Sequence, residues 1–178
     1  PQGLPHLLIK DIPSRVEDPV LEITRPEIYY GELTRTPVVV NSNTEEFDYP
    51  SGDQNRYVKY QGSGGVILGS LWRKFLFGYK FDGTRFFFSG YPGRESRLMF
   101  HRQVCDRLET IAPFLSFDND PYIVVAEGEL YWIVDGYTAS SRYPYSEPFT
   151  SRISGLGLSG IKYLRNSVKA VGNADSGE

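Results

Sequence analysis

One cysteine, two histidines and one methionine in 178 residues leave this chain poor in soft-ligand chemistry. A single Cys excludes a disulfide framework within the chain, and with two His it argues against a structural zinc site. No apolar run approaches the roughly 20 residues that span a bilayer, and no signal-peptide pattern opens the sequence. A dominant charge is lacking too: 19 Lys plus Arg against 22 Asp plus Glu give a net charge of −3, which does not fit a nucleic-acid binder. Catalytic signatures are missing as well. Gly62-Ser-Gly64-Gly65-Val-Ile-Leu-Gly69-Ser70 has Ile67 where a dinucleotide fingerprint needs Gly, and Ser70 where a P-loop needs Lys. It reads as a glycine-rich turn that lets a helix pack on a strand. Gly157-Leu-Ser159-Gly160-Ile161 lacks the last Gly of a nucleophile elbow.

What the chain does have is aromatic residues: 13 Tyr, 11 Phe and 2 Trp, or 15% of its length. Aromatics favour strands, and Tyr favours half-wet surfaces and interfaces. With 40% hydrophobic residues the chain is long enough for one well-buried core, or two very small ones, and disorder is excluded. The 12 Pro and 18 Gly are spread evenly. That spacing predicts a single domain over residues 1–171 and a loose tail over 172–178. The chain starts at Pro1 rather than Met and so reads as an excised piece.

Charge varies along the chain, with 6 basic and 10 acidic residues over 1–60, 8 and 3 over 61–107, and 5 and 9 over 108–178. The basic middle either pairs with the acidic flanks or forms a patch for an anionic partner.

Two segments have helical period. Leu68, Leu71, Trp72, Phe75, Leu76 and Tyr79 fall on one face of a helix that should end near Gly78. A second helix is predicted over Gly93–Ala112, with Leu98, Val104, Cys105, Leu108, Ile111 and Ala112 on its apolar arc. Cys105 on that arc reads as a buried structural thiol. Strands are predicted at Pro37–Asn41, Arg56–Gln61, Arg85–Ser89, Tyr122–Ala126, Leu130–Asp135 and Ile161–Val171. The strongest signal is the pair flanking Glu127-Gly128, which reads as a hairpin with Ala126 opposite Glu129, or one with a Gly bulge. Its two faces are both apolar, which suits a sheet covered on two sides. The fold class is therefore α+β: a mostly antiparallel sheet around a central hairpin, with two main helices packed on it.

Three clusters are candidate sites. Arg97 and His101, four apart on the second predicted helix, lie on its buried side. They read either as a core Arg satisfied by a carboxylate of the acidic flanks or by carbonyls, beside a packed neutral ring, or with Arg94 as an anion or partner contact at the helix N-terminus. Asp118-Asn119-Asp120 and Asp48-Tyr-Pro-Ser-Gly-Asp53 are short acidic turns. Continuing the hairpin register places Asp120 opposite Asp135, and like charges there must be relieved. A cation such as Ca²⁺ shared by Asp118, Asp120 and Asp135, an inserted Arg142, or a hairpin that opens before Pro121 would each do so.

Seven ordered blocks carry a resemblance: Gly3-Leu-Pro-His-Leu-Leu-Ile-Lys-Asp-Ile-Pro13, Arg25-Pro-Glu-Ile-Tyr-Tyr-Gly-Glu32, Glu46-Phe-Asp-Tyr-Pro-Ser-Gly-Asp53, Ser96-Arg-Leu-Met-Phe-His-Arg102, Tyr131-Trp-Ile-Val-Asp-Gly-Tyr-Thr138, Arg142-Tyr-Pro-Tyr-Ser146 and Leu164-Arg-Asn-Ser-Val168. Together they resemble uncharacterised protein family 0182 over about Gly3 to Val171. That family consists of large, mainly bacterial multi-pass membrane proteins with transmembrane helices ahead of a big soluble region. The resemblance implies a fragment of that region at the cell membrane, on the extracytoplasmic side, with the rest of its own membrane protein as partner. None of the blocks is catalytic, so no functional residues carry over. Three function classes compete: a binding or scaffolding module without established activity, a hydrolase of envelope carbohydrate or peptide, and a membrane-surface module using Trp72, Phe75 and Phe77 beside Arg73 and Lys74.

Overall fold

The computed structural model describes residues 9–11, 14–51, 54–150, 156 and 158–178. Gly3–Leu8 of the first block, Gly52 and Asp53 of the acidic turn, and Gly157 lie outside the described residues. In chain order the elements are β1 (Ile9–Lys10), β2 (Arg15–Val16), β3 (Val38–Val40), β4 (Glu46–Ser51), β5 (Gln54–Val58), β6 (Val66–Ile67), α1 (Leu71–Lys80), α2 (Thr84–Phe87), β7 (Arg97–Met99), α3 (Val104–Ile111), β8 (Ser116–Phe117), β9 (Tyr122–Ala126), β10 (Glu129–Ser140) and β11 (Tyr163–Asn173). A single 3₁₀ turn, Pro19–Leu21, falls between β2 and β3. Every strand pairing is antiparallel, so the class is α+β with antiparallel sheets, as the sequence predicts.

The chain groups into two compact units: residues 1–34 with 101–178, and Arg35–Phe100.

The first unit is built on the predicted hairpin. β9 pairs β10 in the expected register, Ala126 opposite Glu129 through Tyr122 opposite Ile133. Glu127 and Gly128 both have positive φ, 54° and 81°, the signature of a two-residue primed turn, so no bulge is needed. Gly128 cannot be replaced freely, because a Cβ there would lie 2.9 Å from Thr24 Oγ1. β11 pairs the other edge of β10 from Tyr131–Asn173 to Ser140–Tyr163, with a bulge at Gly136 and Tyr137. β8 takes the edge beyond β9, with Phe117 opposite Gly136. α3 covers one sheet face: Val104 and Cys105 join Phe117 and Val134 in a core against which Leu108, Trp132 and Ala170 pack. Tyr29 and Tyr30 donate their N–H groups to Ala174 O, and Asp175 pairs with Arg25 at 3.0 Å.

In the second unit a short sheet ordered β3-β7-β6 lies beside the β4–β5 hairpin in the chain. Its core is Leu68, Phe87 and Leu98, with Phe77, Phe81 and Phe100 against them. α1 packs there, through Phe77. Ser70 caps its N-terminus by accepting from Arg73 N, and Phe81 N closes the last turn on Phe77 O.

Two sequence expectations fail here. The helix over Gly93–Ala112 shrinks to α3, because Arg97–Met99 is claimed by a strand that pairs Val38–Val40 and Val66–Ile67. His101, at φ 50°, stands outside the helical region, and Gln103 caps the shorter helix by accepting from Asp106 N. The strand at Arg85–Ser89 is instead the helical turn α2. It swings Phe87 into the core, where the ring would lie 3.1 Å from a Cβ at Gly83.

Candidate functional site

Arg97 does not face a carboxylate. Its Nη1 donates to the carbonyl oxygens of Ser63 at 2.7 Å, Gly64 at 3.3 Å and Gly65 at 3.4 Å. Tyr60 Oη accepts from Gly64 N at 2.8 Å, and Gly65 sits at φ 78° with Leu98 O 3.0 Å from where a Cβ would be. The glycine-rich segment is thus a turn wrapped round a guanidinium, with its carbonyls already engaged. Arg94 is exposed in the same unit, while His101 is exposed in the other. The three residues predicted to share a helix share no element, so no helix N-terminus gathers them.

The acidic cluster is also dispersed. The hairpin ladder stops at Tyr122, and Pro121 is buried where the strand turns away. The chain rejoins β10 two residues out of the hairpin register, so that Asp118 N, not Asp120, meets Asp135 O at 2.9 Å. Of the three ways to separate Asp120 from Asp135, the structure takes the opening before Pro121. Asp135 turns instead to β11, where Lys169 Nζ lies at 2.7 Å and Asn166 Nδ2 at 3.2 Å. The Lys169 hydrogen bond, helped by Asn166, holds the Asp135 carboxyl below its ordinary range and raises Lys169. Among the described residues no group of three or more His, Cys, Asp or Glu is placed to hold a metal ion.

Several cations of the basic middle segment meet neutral partners. In the second unit Arg73 donates to Ile67 O at 3.0 Å and Lys74 to Pro92 O at 2.7 Å, and Lys80 lies 5.1 Å from the Phe100 ring centre. In the first unit Arg107 donates to Gly177 O at 2.8 Å and sits 4.9 Å from the centre of the Tyr30 ring. Neutral carbonyls and rings satisfy these donors without cancelling their charge.

A cavity of about 130 Å³ lies under α3, walled by Tyr30, Leu108, Trp132, Val134 and Ala170, with Arg107 at its edge. Trp132 Nε1 donates to Tyr30 O at 2.9 Å and fixes one wall. The cavity carries one carboxylate, Glu178, and the two other cavities described also carry one each, Glu109 and Glu147.

The opposite face of the same sheet has a different character. Alternation along β9, β10 and β11 places Tyr122, Val124, Tyr131, Ile133 and Val171 on the side away from α3. Tyr122 is 45% exposed and Val171 60%, the others half-buried. Polar groups border this apolar centre at both ends. Glu129 Oε2 accepts from Asn173 Nδ2 at 2.6 Å and Tyr131 Oη at 3.1 Å at one end, and Asp135 meets Lys169 at the other. The sequence predicted a sheet covered on both faces; α3 packs on one of them.

The family can now be read. The chain matches the pattern of the Uncharacterised protein family (UPF0182) over residues 1–178. It belongs to UPF0182. A UPF0182 protein of Desulforamulus reducens is 49% identical over 177 residues, covering 99% of this chain and 18% of the relative. One from Sulfurovum sp. is 47% identical over 178 residues, covering 99% and 19%. One from Trichodesmium erythraeum is 42% identical over 186 residues, covering 98% and 20%. The chain therefore spans about a fifth of the length of these curated UPF0182 relatives. No solved structure matches it. None of the described helices is long and apolar enough to cross a membrane.

Proposed function

We propose that this UPF0182 segment is a non-catalytic binding or scaffolding module, on the extracytoplasmic side of a membrane protein, whose open sheet face docks on the remainder of its own polypeptide. The carrying observation is that face: an apolar centre of Tyr122, Val124, Ile133 and Val171 with hydrogen-bonded polar margins, the anatomy of a protein interface. About four-fifths of each relative's length lies outside the region this chain covers, which supplies a covering surface in the same polypeptide. A hydrolase of envelope carbohydrate needs two carboxylates about 5–10 Å apart across a cleft. Hydrolysis of envelope carbohydrate by the purified chain would favour this alternative over the binding reading.

The test is to express this segment and the rest of the polypeptide as separate chains and measure their association. Val171→Lys and Tyr122→Glu should each weaken it by about tenfold or more, since each places a charge in the apolar centre. Association that ignores both substitutions would overturn the reading. Protease accessibility of the segment in intact cells and in inverted vesicles tests the sidedness: cleavage only in inverted vesicles overturns it.

A further inference from the structure

The helix α1 is inverted. A helix on a globular unit turns its apolar stripe inward and its polar residues outward. In α1 the inward side holds Phe77, the buried Gly78 and Lys74, whose ammonium reaches Pro92 O. The outward side holds every member of the predicted apolar stripe except the buried Leu68, which precedes the helix, with Leu71 73% exposed, Trp72 75%, Phe75 48%, Leu76 59% and Tyr79 82%. At about 150–250 Å² per aromatic side chain, the three rings alone leave roughly 300–500 Å² open. That matches the largest apolar patch of a typical monomer before the leucines are counted.

We infer that α1 lies on an anionic lipid surface, with this stripe in the boundary between headgroups and acyl chains. Three observations select that occupant. First, the stripe contains Trp and Tyr near opposite ends of a ten-residue helix, and these amphipathic rings settle at the headgroup boundary, which sets the helix axis parallel to the surface. Second, α1 has no acidic residue, and over residues 71–97 six basic residues stand against Asp82 and Glu95. Arg73, Lys80, Arg85 and Arg94 are exposed, and Arg73 donates to the neutral carbonyl of Ile67, so the patch keeps a positive field. Third, a two-fold contact with a second copy running antiparallel would bring Arg73 of one copy beside Lys80 of the other, whereas anionic headgroups complement both. Both ends of the helix are capped, so the stripe is presented on a formed helix rather than one that must fold on contact. This inference concerns the second unit and does not depend on the sheet-face reading of the first.

The experiment is vesicle flotation of the 178-residue chain. It should float with vesicles mixing phosphatidylcholine and phosphatidylglycerol about tenfold more strongly than with phosphatidylcholine alone, and less as salt rises. Trp72→Glu and Leu76→Glu should each reduce flotation by about tenfold or more. Phe114→Glu, a control at an 81% exposed position of the first unit, should leave it unchanged. With Trp132 replaced by Phe, Trp72 is the only remaining tryptophan, and brominated lipid should quench its fluorescence. That measurement decides the case should a charged variant fail to fold. Flotation on neither vesicle, flotation that Trp72→Glu leaves intact, unquenched Trp72, or self-association without flotation would each overturn the inference.

Discussion

Replacing Trp132 by alanine removes the side chain that joins α3, Tyr30 and the middle strand of the sheet. The ring is half-buried, packs against the Val104, Cys105, Phe117 and Val134 core, and donates Nε1–H to Tyr30 O at 2.9 Å. Buried Phe or Trp to Ala costs about 3–5 kcal/mol, of which partial exposure here keeps the lower end, about 3 kcal/mol. The loss is enlarged by location, because the ring walls a cavity of about 130 Å³ that the truncation would extend rather than collapse. Trp132→Phe separates the contributions. It keeps most of the apolar contact and loses the hydrogen bond, so it should cost about 1 kcal/mol plus a smaller packing loss. Urea unfolding of both variants measures these values, with the slope on denaturant held common. If alanine cost less than about 1 kcal/mol, or if phenylalanine cost as much as alanine, the ring would not be carrying the packing of α3.

Glycine substitutions should rank by backbone and space. Gly128→Ala, at φ 81° with Thr24 2.9 Å away, should cost more than the about 1–2 kcal/mol of left-handed backbone alone, Gly160→Ala at φ 68° in open space should cost about that, and Gly90→Ala, also in open space, should change thermal unfolding least. Asp135 is held below its ordinary range in the folded chain, so its contribution is present above the unfolded carboxyl value near pH 4 and is lost as pH falls through the folded value; Asp135→Asn should flatten the acid limb of a stability-against-pH curve. Asp175 runs the other way, because burial outweighs Arg25 and raises it; its favourable contribution is present below the unfolded value and is lost as pH rises through the folded one. Burial also pushes the Cys105 thiol up, so a thiol reagent should modify it only as fast as the chain opens, and a native rate matching free cysteine would refute its place in the core.

The hairpin was legible because all its determinants are local. Two β-rich runs, a Gly at the second turn position and two-residue alternation fix the pairing of Ala126 with Glu129 without reference to the rest of the chain. The segment Gly93–Ala112 was not, although its periodicity is equally clean. Leu98 fits the arc of a helix and also the inward side of a strand, and what decides between them is a pairing with Val39 and Val66, far away in sequence. Once Arg97–Met99 becomes a strand, the spacing of Arg97 and His101 no longer implies a shared face, and the anion site built on it dissolves. The register argument at Asp120 and Asp135 went further. It correctly marked a conflict and named the opening at Pro121 among its solutions, but nothing local indicated that Lys169, from β11, would take up the remaining carboxylate.

For α1 the sequence yields the stripe but not the direction in which it points. Hydrophobic period locates Leu71, Trp72, Phe75, Leu76 and Tyr79 on one side of a helix, and the usual inference sends that side to the core. Yet Phe77, on the opposite side, has the Leu68, Phe87 and Leu98 cluster to fill, and one ring with Gly78 beside it lets the helix approach closely. The inner surface is satisfied by this small contact because the core it covers is small. Five larger residues are then left outside, an arrangement that is costly in water for as long as nothing covers it. Stability and partner contact therefore make opposite demands on the two sides of the same ten residues. Phe77→Ala should unfold the second unit at lower denaturant, by about 2–4 kcal/mol given its half-buried position, while Trp72→Glu should leave unfolding unchanged or slightly improved. A loss of stability from Trp72→Glu as large as that from Phe77→Ala would show that the outer stripe is core after all, and the inversion would have to be abandoned.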